Sequence, residues 1–208
     1  MIKDTGERVI PKMMDSLNPL LLEHIARYQF SLNYLHGRVL DLSCGAGYGT
    51  HMIAKRRKKQ VNEVVGLDLD PEIIQYAKHE YYHPNSKYEV ADATDPNLID
   101  TYGTFDCIVS FETIEHIEDE QALLDNYKRL LKPNGLLIVS TPFGKGRGEP
   151  CGNPFHVHQL TQDEFRELFV DDYHQVEFFY QNGVVMENTQ REGVRYPLGI
   201  AVCQKGED

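Results

Sequence analysis

The sequence has few cysteines, no long apolar run and a shortage of positive charge. Its four cysteines, at positions 44, 107, 151 and 203, form no CxxC pair. That spacing supports neither a zinc knuckle nor a dense disulfide framework. No apolar stretch approaches the roughly 18 residues needed to cross a bilayer, and the N-terminus lacks the apolar core of a signal peptide. We therefore expect a reduced, cytoplasmic protein without a membrane span.

The charge balance is acidic. The chain has 32 acidic and 21 basic residues, which gives a formal net charge of −11. A field of that sign repels phosphate backbones, so sequence-independent nucleic-acid binding is disfavoured and a small-molecule substrate is favoured. The one basic cluster, residues 55–59, falls where a helix is expected to end, and cations there complement the helix dipole.

The order of apolar runs and helix signals indicates an α/β fold. Residues 39–42, 64–67, 107–109 and 136–139 are short, continuous apolar runs, as in strands covered by helices on both faces. Helix starts lie between them, such as Asp70-Pro71 and a capping box at Thr161 and Glu164. The pattern predicts a Rossmann-like, doubly wound sheet.

Two strand-like segments close the chain, at about residues 175–181 and 198–204. A polar loop joins them, and a hairpin there fits an antiparallel last strand inserted into an otherwise parallel sheet. We therefore predict seven strands in a single domain covering residues 1–208. In this prediction residues 1–36 form an N-terminal arm and a helix, and residues 37–208 form the Rossmann-like core.

A glycine-rich turn follows the first expected strand. Gly45, Gly47 and Gly49 allow the backbone to approach a ligand closely. The third glycine comes one residue too early for the GxGxxG pattern of a nicotinamide oxidoreductase. Upstream, the carboxylate of Asp41 suits the ammonium group of a methionyl moiety instead.

Acidic residues also follow the second and third expected strands. Asp68 lies 23 residues after Gly45, where a carboxylate can accept hydrogen bonds from both ribose hydroxyls. Asp92 can accept a hydrogen bond from an adenine amino group. Three acids at three successive strand ends, around one glycine turn, predict a nucleoside cofactor site.

These residues resemble the class I S-adenosylmethionine-dependent methyltransferases over nearly the whole chain. Residues 41–49 match the family's glycine motif, Asp68 its ribose acid and Asp92 its adenine contact. The first glycine of the usual DxGxGxG is Ser43 here, and its side chain would either crowd the cofactor or hydrogen-bond to it. The resemblance implies that S-adenosylmethionine binds to Asp41, Ser43, Gly45, Gly47, Asp68, Leu69, Asp92, Ala93 and Phe111.

A second cluster of polar residues follows the fourth expected strand. If that turn is helical, Glu112, Glu115 and His116 share one face beside the methyl donor. His156 and His158 lie in a later loop that returns over the same edge. Carboxylates with imidazoles suit a divalent cation such as Mg, Mn or Zn.

The pattern ExxEH with a later His resembles the ubiquinone-pathway catechol O-methyltransferases and the small-RNA 2′-O-methyltransferases. That resemblance implies metal ligation by Glu112, Glu115, His116 and either His156 or His158. Two alternatives remain open from the residues. In one, the site is metal-free and His116 or His156 is the general base; in the other, Glu115 and His116 only organise the turn.

The most favoured function is O-methylation of a small molecule or a sugar-containing intermediate, with His116 and Glu115 as catalytic residues. The alternatives are a non-catalytic S-adenosylmethionine-binding regulatory subunit and an RNA 2′-O-methyltransferase, the latter disfavoured by the charge of −11. The segment 5–11 resembles the leader of bacterial methyltransferases found with glycan and natural-product pathways. We hypothesise that this arm and the region of Arg27 and Tyr28 cover the cofactor as a lid.

Overall fold

Eight strands form one mixed sheet in the computed structural model, which describes residues 8–207. The strands are β1 (Gly37–Leu42), β2 (Val61–Asp68), β3 (Ser86–Val90), β4 (Phe105–Phe111), β5 (Leu131–Pro142), β6 (Gln175–Asn182), β7 (Val185–Glu187) and β8 (Leu198–Gln204). Their order across the sheet is β3-β2-β1-β4-β5-β8-β6-β7. The pairs among β1 to β5 are parallel, and those made by β6, β7 and β8 are antiparallel. The predicted insertion of an antiparallel last strand is confirmed, because β8 lies between β5 and β6.

Six α-helices accompany the sheet. They are α1 (Pro19–Ser31), α2 (Tyr48–Arg56), α3 (Pro71–Glu80), α4 (Leu98–Tyr102), α5 (Glu120–Leu130) and α6 (Gln162–Val170). The predicted helix starts are confirmed by their caps. Asp70 accepts hydrogen bonds from two amides of the first turn of α3, and Thr161 and Glu164 form the capping box of α6. The basic residues of α2 lie in its last turn, also as predicted.

Helices cover both faces of the sheet, and adjacent residues of the central strand β1 point to opposite faces. Val39 packs in the apolar cluster that includes residues of α1, α2 and α3, while Leu40 packs in the cluster with α4, α5 and α6. Both side chains are fully buried. This arrangement is the doubly wound fold that the continuous apolar runs predicted.

The strand number differs from the predicted seven. The additional strand, β7, has three residues and pairs with β6 through Tyr180, Gln181 and Asn182. It lies within the segment expected to be a polar loop. The chain can reverse there over two residues because Gly183 adopts a φ of +59°. Within residues 8–207, no helix combines the length and apolar character needed to cross a membrane.

The contact between α1 and α2 depends on the absence of a side chain at Gly49. A Cβ there would lie 1.9 Å from Cζ of Tyr28. We expect Gly49→Ala to lower the free energy of unfolding by about 1–3 kcal/mol through overpacking, measured by urea denaturation. Gly152→Ala is the control, because a Cβ there meets nothing within 4 Å and should change stability by no more than about 0.5 kcal/mol. Equal effects of the two substitutions would contradict this account of the packing.

Candidate active site

A cavity of about 590 Å³ opens at the carboxyl ends of β1, β2 and β4. Its size is within the range of small-molecule sites. Ser43, Gly45 and Asp68 lie at the turn side, and α1 forms one wall. The lining also contains Phe111, Glu112, Glu115, His116, Phe155 and His156. The fold therefore brings the predicted cofactor turn and the predicted acid–histidine cluster to one cavity.

Two glycines of the turn have different surroundings. Gly45, with φ +53°, lines the cavity, and a Cβ on it would meet nothing within 4 Å. A Cβ on Gly47 would instead lie 2.6 Å from Cβ of Ala77 and 2.7 Å from the Tyr88 ring. Gly47 is therefore required for packing against α3 and β3, whereas Gly45 leaves space for a ligand. Ser43, with φ +65°, lines the cavity as predicted.

Asp68 has a fixed orientation at the end of β2. One carboxylate oxygen accepts a hydrogen bond of 2.8 Å from the amide of Gly45, and the other accepts one of 3.0 Å from the amide of Asp70. The side chain lines the cavity beside the open space at Gly45. Its remaining acceptor capacity fits the ribose diol that the sequence assigned to it.

Asp41 lies beneath the turn rather than in the cavity wall. Its Oδ1 accepts a hydrogen bond of 3.0 Å from the Tyr28 hydroxyl, and its Oδ2 accepts one of 2.6 Å from Thr50 Oγ1. Burial raises the pKa of this carboxyl to about 7, against the lowering effect of those two hydroxyls. The hydroxyls of Tyr28 and Thr50 already donate to both carboxylate oxygens. Direct contact between Asp41 and a bound ammonium group stays a prediction.

Three residues predicted to contact the cofactor, of which Asp92 was assigned to the adenine, lie on the neighbouring strand ends, outside the cavity lining. Leu69 is 67% exposed after β2. Asp92 is exposed after β3, and its Oδ1 accepts hydrogen bonds from the amide and the hydroxyl of Thr94. Ala93 is buried beside it. These three assignments stay predictions.

Glu112 does not share a helical face with Glu115 and His116, so that expectation is wrong. Its backbone adopts a left-handed conformation, with φ +52°, directly after β4, and only Ile114–His116 form a short 3-10 helix. The chain bends there, and Oε1 of Glu112 lies 3.5 Å from Nη2 of the buried Arg27. Arg27 also donates a 2.8 Å hydrogen bond to Gln181. A buried guanidinium requires a counter-charge, and Glu112 supplies it.

Three of the predicted ligands do converge. Ligand atoms of Glu115, His116 and His156 all lie within 4.8 Å of one another. Nδ1 of His116 lies 2.9 Å from the carbonyl oxygen of Phe155, so this nitrogen is the donor. The other histidine considered, His158, is directed instead to Glu120, at 3.3 Å.

Burial favours the neutral forms of two members of the cluster, Glu115 and His156. Glu115 is buried; its Oε2 accepts a 3.0 Å hydrogen bond from Thr141, while its Oε1 has no hydrogen-bond partner among residues 8–207. Burial, and then the charge of Glu112, raise the pKa of the Glu115 carboxyl well above its usual value. Burial, and then His116 and His158, lower the pKa of His156 to about 4.

Sequence reasoning named the region of Arg27 and Tyr28 in α1 but missed Leu20 and His24 on the same helix. Leu20, His24 and Tyr28 recur at the spacing of one helical face, and all three line the cavity. Nδ1 of His24 lies 3.1 Å from the Tyr48 hydroxyl, and burial lowers the pKa of this imidazole well below its usual value. The i, i+4, i+8 spacing of these three residues was the feature of the sequence that could have identified this face of α1.

The N-terminal arm contributes to the cavity at its described end. Arg8 and Val9 line it, and the Arg8 guanidinium lies 2.8 Å from the carboxylate of Asp70 at the start of α3. Thr5, Gly6 and Glu7, which carry the rest of the leader motif, lie outside the described residues. The lid hypothesis stays a prediction.

Comparisons with known proteins agree with this geometry. The family model for a methyltransferase domain matches residues 40–139. A probable S-adenosylmethionine-dependent methyltransferase of Mycolicibacterium smegmatis is 34% identical over 172 residues, which cover 79% of this chain and 62% of that protein. A ubiquinone biosynthesis O-methyltransferase of Xylella fastidiosa is 33% identical over 131 residues, covering 62% and 50%.

Solved structures show the same fold. A putative methyltransferase of Haloferax volcanii, solved in complex with a methyltransferase activator, has a TM-score of 0.70 at 19% identity and covers 89% of this chain and 91% of its own. A putative methyltransferase of Listeria monocytogenes has a TM-score of 0.64 at 16% identity, covering 89% and 99%. The matched residues, 40–139, form a methyltransferase domain of the class I S-adenosylmethionine-dependent kind. The chain spans about 60% of the length of the mycobacterial relatives that it matches.

The raised pKa of Asp41 predicts a pH-dependent stability. An aspartate in an unfolded chain has a pKa of about 4, whereas folded Asp41 has a pKa of about 7. Between these values the folded state keeps a proton that the unfolded chain releases, so Asp41 lowers stability as the pH rises from about 4 to 7. Asp41→Asn cannot ionise. We therefore expect its free energy of unfolding, relative to that of the parent, to rise by on the order of 3 kcal/mol between pH 4 and pH 8.

The measurement is urea unfolding of parent and variant at several pH values. Thr50→Val is a useful companion, because it removes a hydroxyl that lowers the pKa of Asp41. It should therefore make the loss of stability at high pH larger. A difference between parent and Asp41→Asn that is the same at pH 5 and pH 8 would show that the buried carboxyl ionises normally.

Proposed function

We propose that this chain transfers the methyl group of S-adenosylmethionine to a hydroxyl oxygen of a small molecule or a sugar-containing intermediate. The observation that supports it most is the convergence of Glu115, His116 and His156 on the cavity that also contains Gly45 and Asp68. The family supplies the methyl donor. The hydroxyl acceptor is supported by the acid–histidine cluster and by the likeness to an O-methyltransferase.

The cofactor half of the cavity has the groups that S-adenosylmethionine needs. The bound cofactor supplies an electrophilic methyl group on a sulfonium. Asp68 receives the ribose hydroxyls, while the Gly45 backbone, Ser43 and the Phe111 ring flank the methionyl part. Leu69, Asp92 and Ala93 frame the adenine at the open edge. Asp41 and Gly47 act from beneath, by holding α1 and the turn in position.

The acceptor half of the cavity must align a hydroxyl and remove its proton. In-line displacement at a sulfonium requires little else. His116 can take that proton on Nε2, because Nδ1 is held by the Phe155 carbonyl. Glu115 lies beside it, buried and with a raised pKa.

The same three side chains fit a divalent cation such as Mn, Zn or Mg. Oε1 of Glu115 is a buried oxygen without a hydrogen-bond partner among the described residues, and two imidazoles lie next to it. A cation held by Glu115, His116 and His156 would lower the pKa of a bound hydroxyl. Glu112, paired with Arg27, is not in this set.

Transfer of labelled methyl groups tests the activity. We expect label from S-adenosylmethionine to enter a small-molecule fraction of a cell extract, and His116→Ala to reduce it about 100-fold or more. His79→Ala, at an exposed position in α3 that does not line the cavity, is the control. Loss of label with EDTA supports the cation, and its survival supports the histidine base. No label in any fraction, with cofactor binding demonstrated, would contradict the proposal.

Two glutamate substitutions test the cation site. We expect Glu115→Gln to weaken binding of Mn²⁺ or Zn²⁺ at least tenfold, because it replaces a ligand. Glu112→Gln should weaken binding less than Glu115→Gln does, since Glu112 faces Arg27 and is not a ligand. Calorimetric titration measures both. Equal losses of affinity in the two variants would mean that Glu112 leaves Arg27 and joins the cation site. If the parent protein bound no cation, the histidine base would be the remaining mechanism.

A further inference from the structure

Residues 143–160, which we call the acceptor loop, carry Phe155 and His156 into the cavity. The base of this loop is closed by two backbone hydrogen bonds. The amide of Gly144 donates to Leu160 O at 2.8 Å, and the amide of Gly146 donates to Gln159 O at 3.0 Å. The acceptor loop therefore returns on itself before α6 begins. Contacts that hold the base of the acceptor loop therefore also help to position Phe155 and His156 at its tip.

One arginine fastens that base to two helices. Nη2 of Arg147 donates a 2.7 Å hydrogen bond to Glu120, the first residue of α5. Its backbone amide donates to Oε1 of Glu164 in the first turn of α6 at 3.1 Å, and Nη1 lies 3.8 Å from the same oxygen. Gly146 permits the close approach, since a Cβ there would lie 3.1 Å from Oε2 of Glu164.

A short series of contacts leads from this arginine to the histidine cluster. Gly146 holds the backbone of Gln159, and the side-chain amide of Gln159 lies 3.0 Å from Nδ1 of His156. At the tip of the acceptor loop, the amide of Val157 donates to Glu115 O at 2.8 Å. The Phe155 carbonyl selects the tautomer of His116. Displacement of the acceptor loop would therefore change the hydrogen bonds of both His116 and His156.

We propose that Arg147 is a positioning residue, which holds the acceptor loop so that His156 and the Phe155 carbonyl meet His116 correctly. Its role in methyl transfer rests on the function proposed above for those histidines. Arg147 does not line the cavity and acts through the acceptor loop. The side chain is 39% exposed, and pairs of that kind contribute only about 0–1 kcal/mol to global stability. Removing it should therefore loosen the loop and leave the fold intact.

The planar guanidinium is the group that can reach two carboxylates at once. A lysine ammonium presents a single point charge on a flexible stem and cannot reproduce the fork. Arg147→Lys should therefore restore the attachment only in part. Lys145, exposed in the same turn, offers a matched control for the loss of one positive charge.

The test compares Arg147→Ala, Arg147→Lys and Lys145→Ala in the full chain, without a methyl acceptor. Two readouts are used: hydrogen exchange of the Val157 and Gly146 amides, and nitrogen-15 NMR signals of the His116 and His156 imidazoles. We expect Arg147→Ala to accelerate exchange roughly tenfold or more and to convert His116 from one tautomer to a mixture. Lys145→Ala should leave both unchanged, and Arg147→Lys should lie between them. Thermal unfolding should remain cooperative in all three.

Unchanged exchange and unchanged imidazole signals in Arg147→Ala would overturn the proposal. So would equal changes in Lys145→Ala, because the effect would then come from net charge. These outcomes are separate from failure of the proposed function. If His116→Ala retained full methyl transfer, the function would fail while the imidazole signals could still depend on Arg147. If His116→Ala abolished methyl transfer but the imidazole signals were the same in the parent and in Arg147→Ala, only the positioning role would fail.

Discussion

Asp41 carries its carboxylate at the end of the central strand, out of contact with water, and three elements meet on it. Tyr28 brings α1 to this carboxylate and Thr50 brings α2. A charge in such a place is unfavourable, and the two hydroxyls offset the cost only in part, so the pKa rises to about 7. The wall formed by α1 depends on this attachment, because Leu20 and His24 lie on the same helix as Tyr28. The cofactor turn and the wall formed by α1 thus share one buried anchor.

The two halves of the cavity are built from different kinds of structure. The proposed cofactor contacts come from the ends of β1 and β2, where the backbone is fixed by the sheet and by the hydrogen bonds of Asp68. The acceptor side comes from a left-handed turn at Glu112 and from the acceptor loop. Loops carried on a rigid sheet can vary without loss of the fold.

Sequence reasoning succeeded where the signal was local. The caps at Asp70 and Thr161 depend on residues two or three positions away, and the buried strands follow from their own apolar runs. It failed at Glu112, whose direction depends on a left-handed backbone and on Arg27, far away in the chain. Likewise, the glycine pattern could not reveal that Gly47 packs against Tyr88 while Gly45 faces open space. Contacts of that kind exist only after distant elements have met.

The hydrogen bond between Arg27 and Gln181 joins residues 154 positions apart. On a ribosome, α1 emerges early, but the amide that receives its guanidinium is made only after most of the sheet has been translated. Until then, the guanidinium of Arg27 lacks the side-chain oxygen of Gln181, which accepts its hydrogen bond in the folded protein. The hydrogen bonding of the buried Arg27 is therefore completed only late in translation, once β6 has been made.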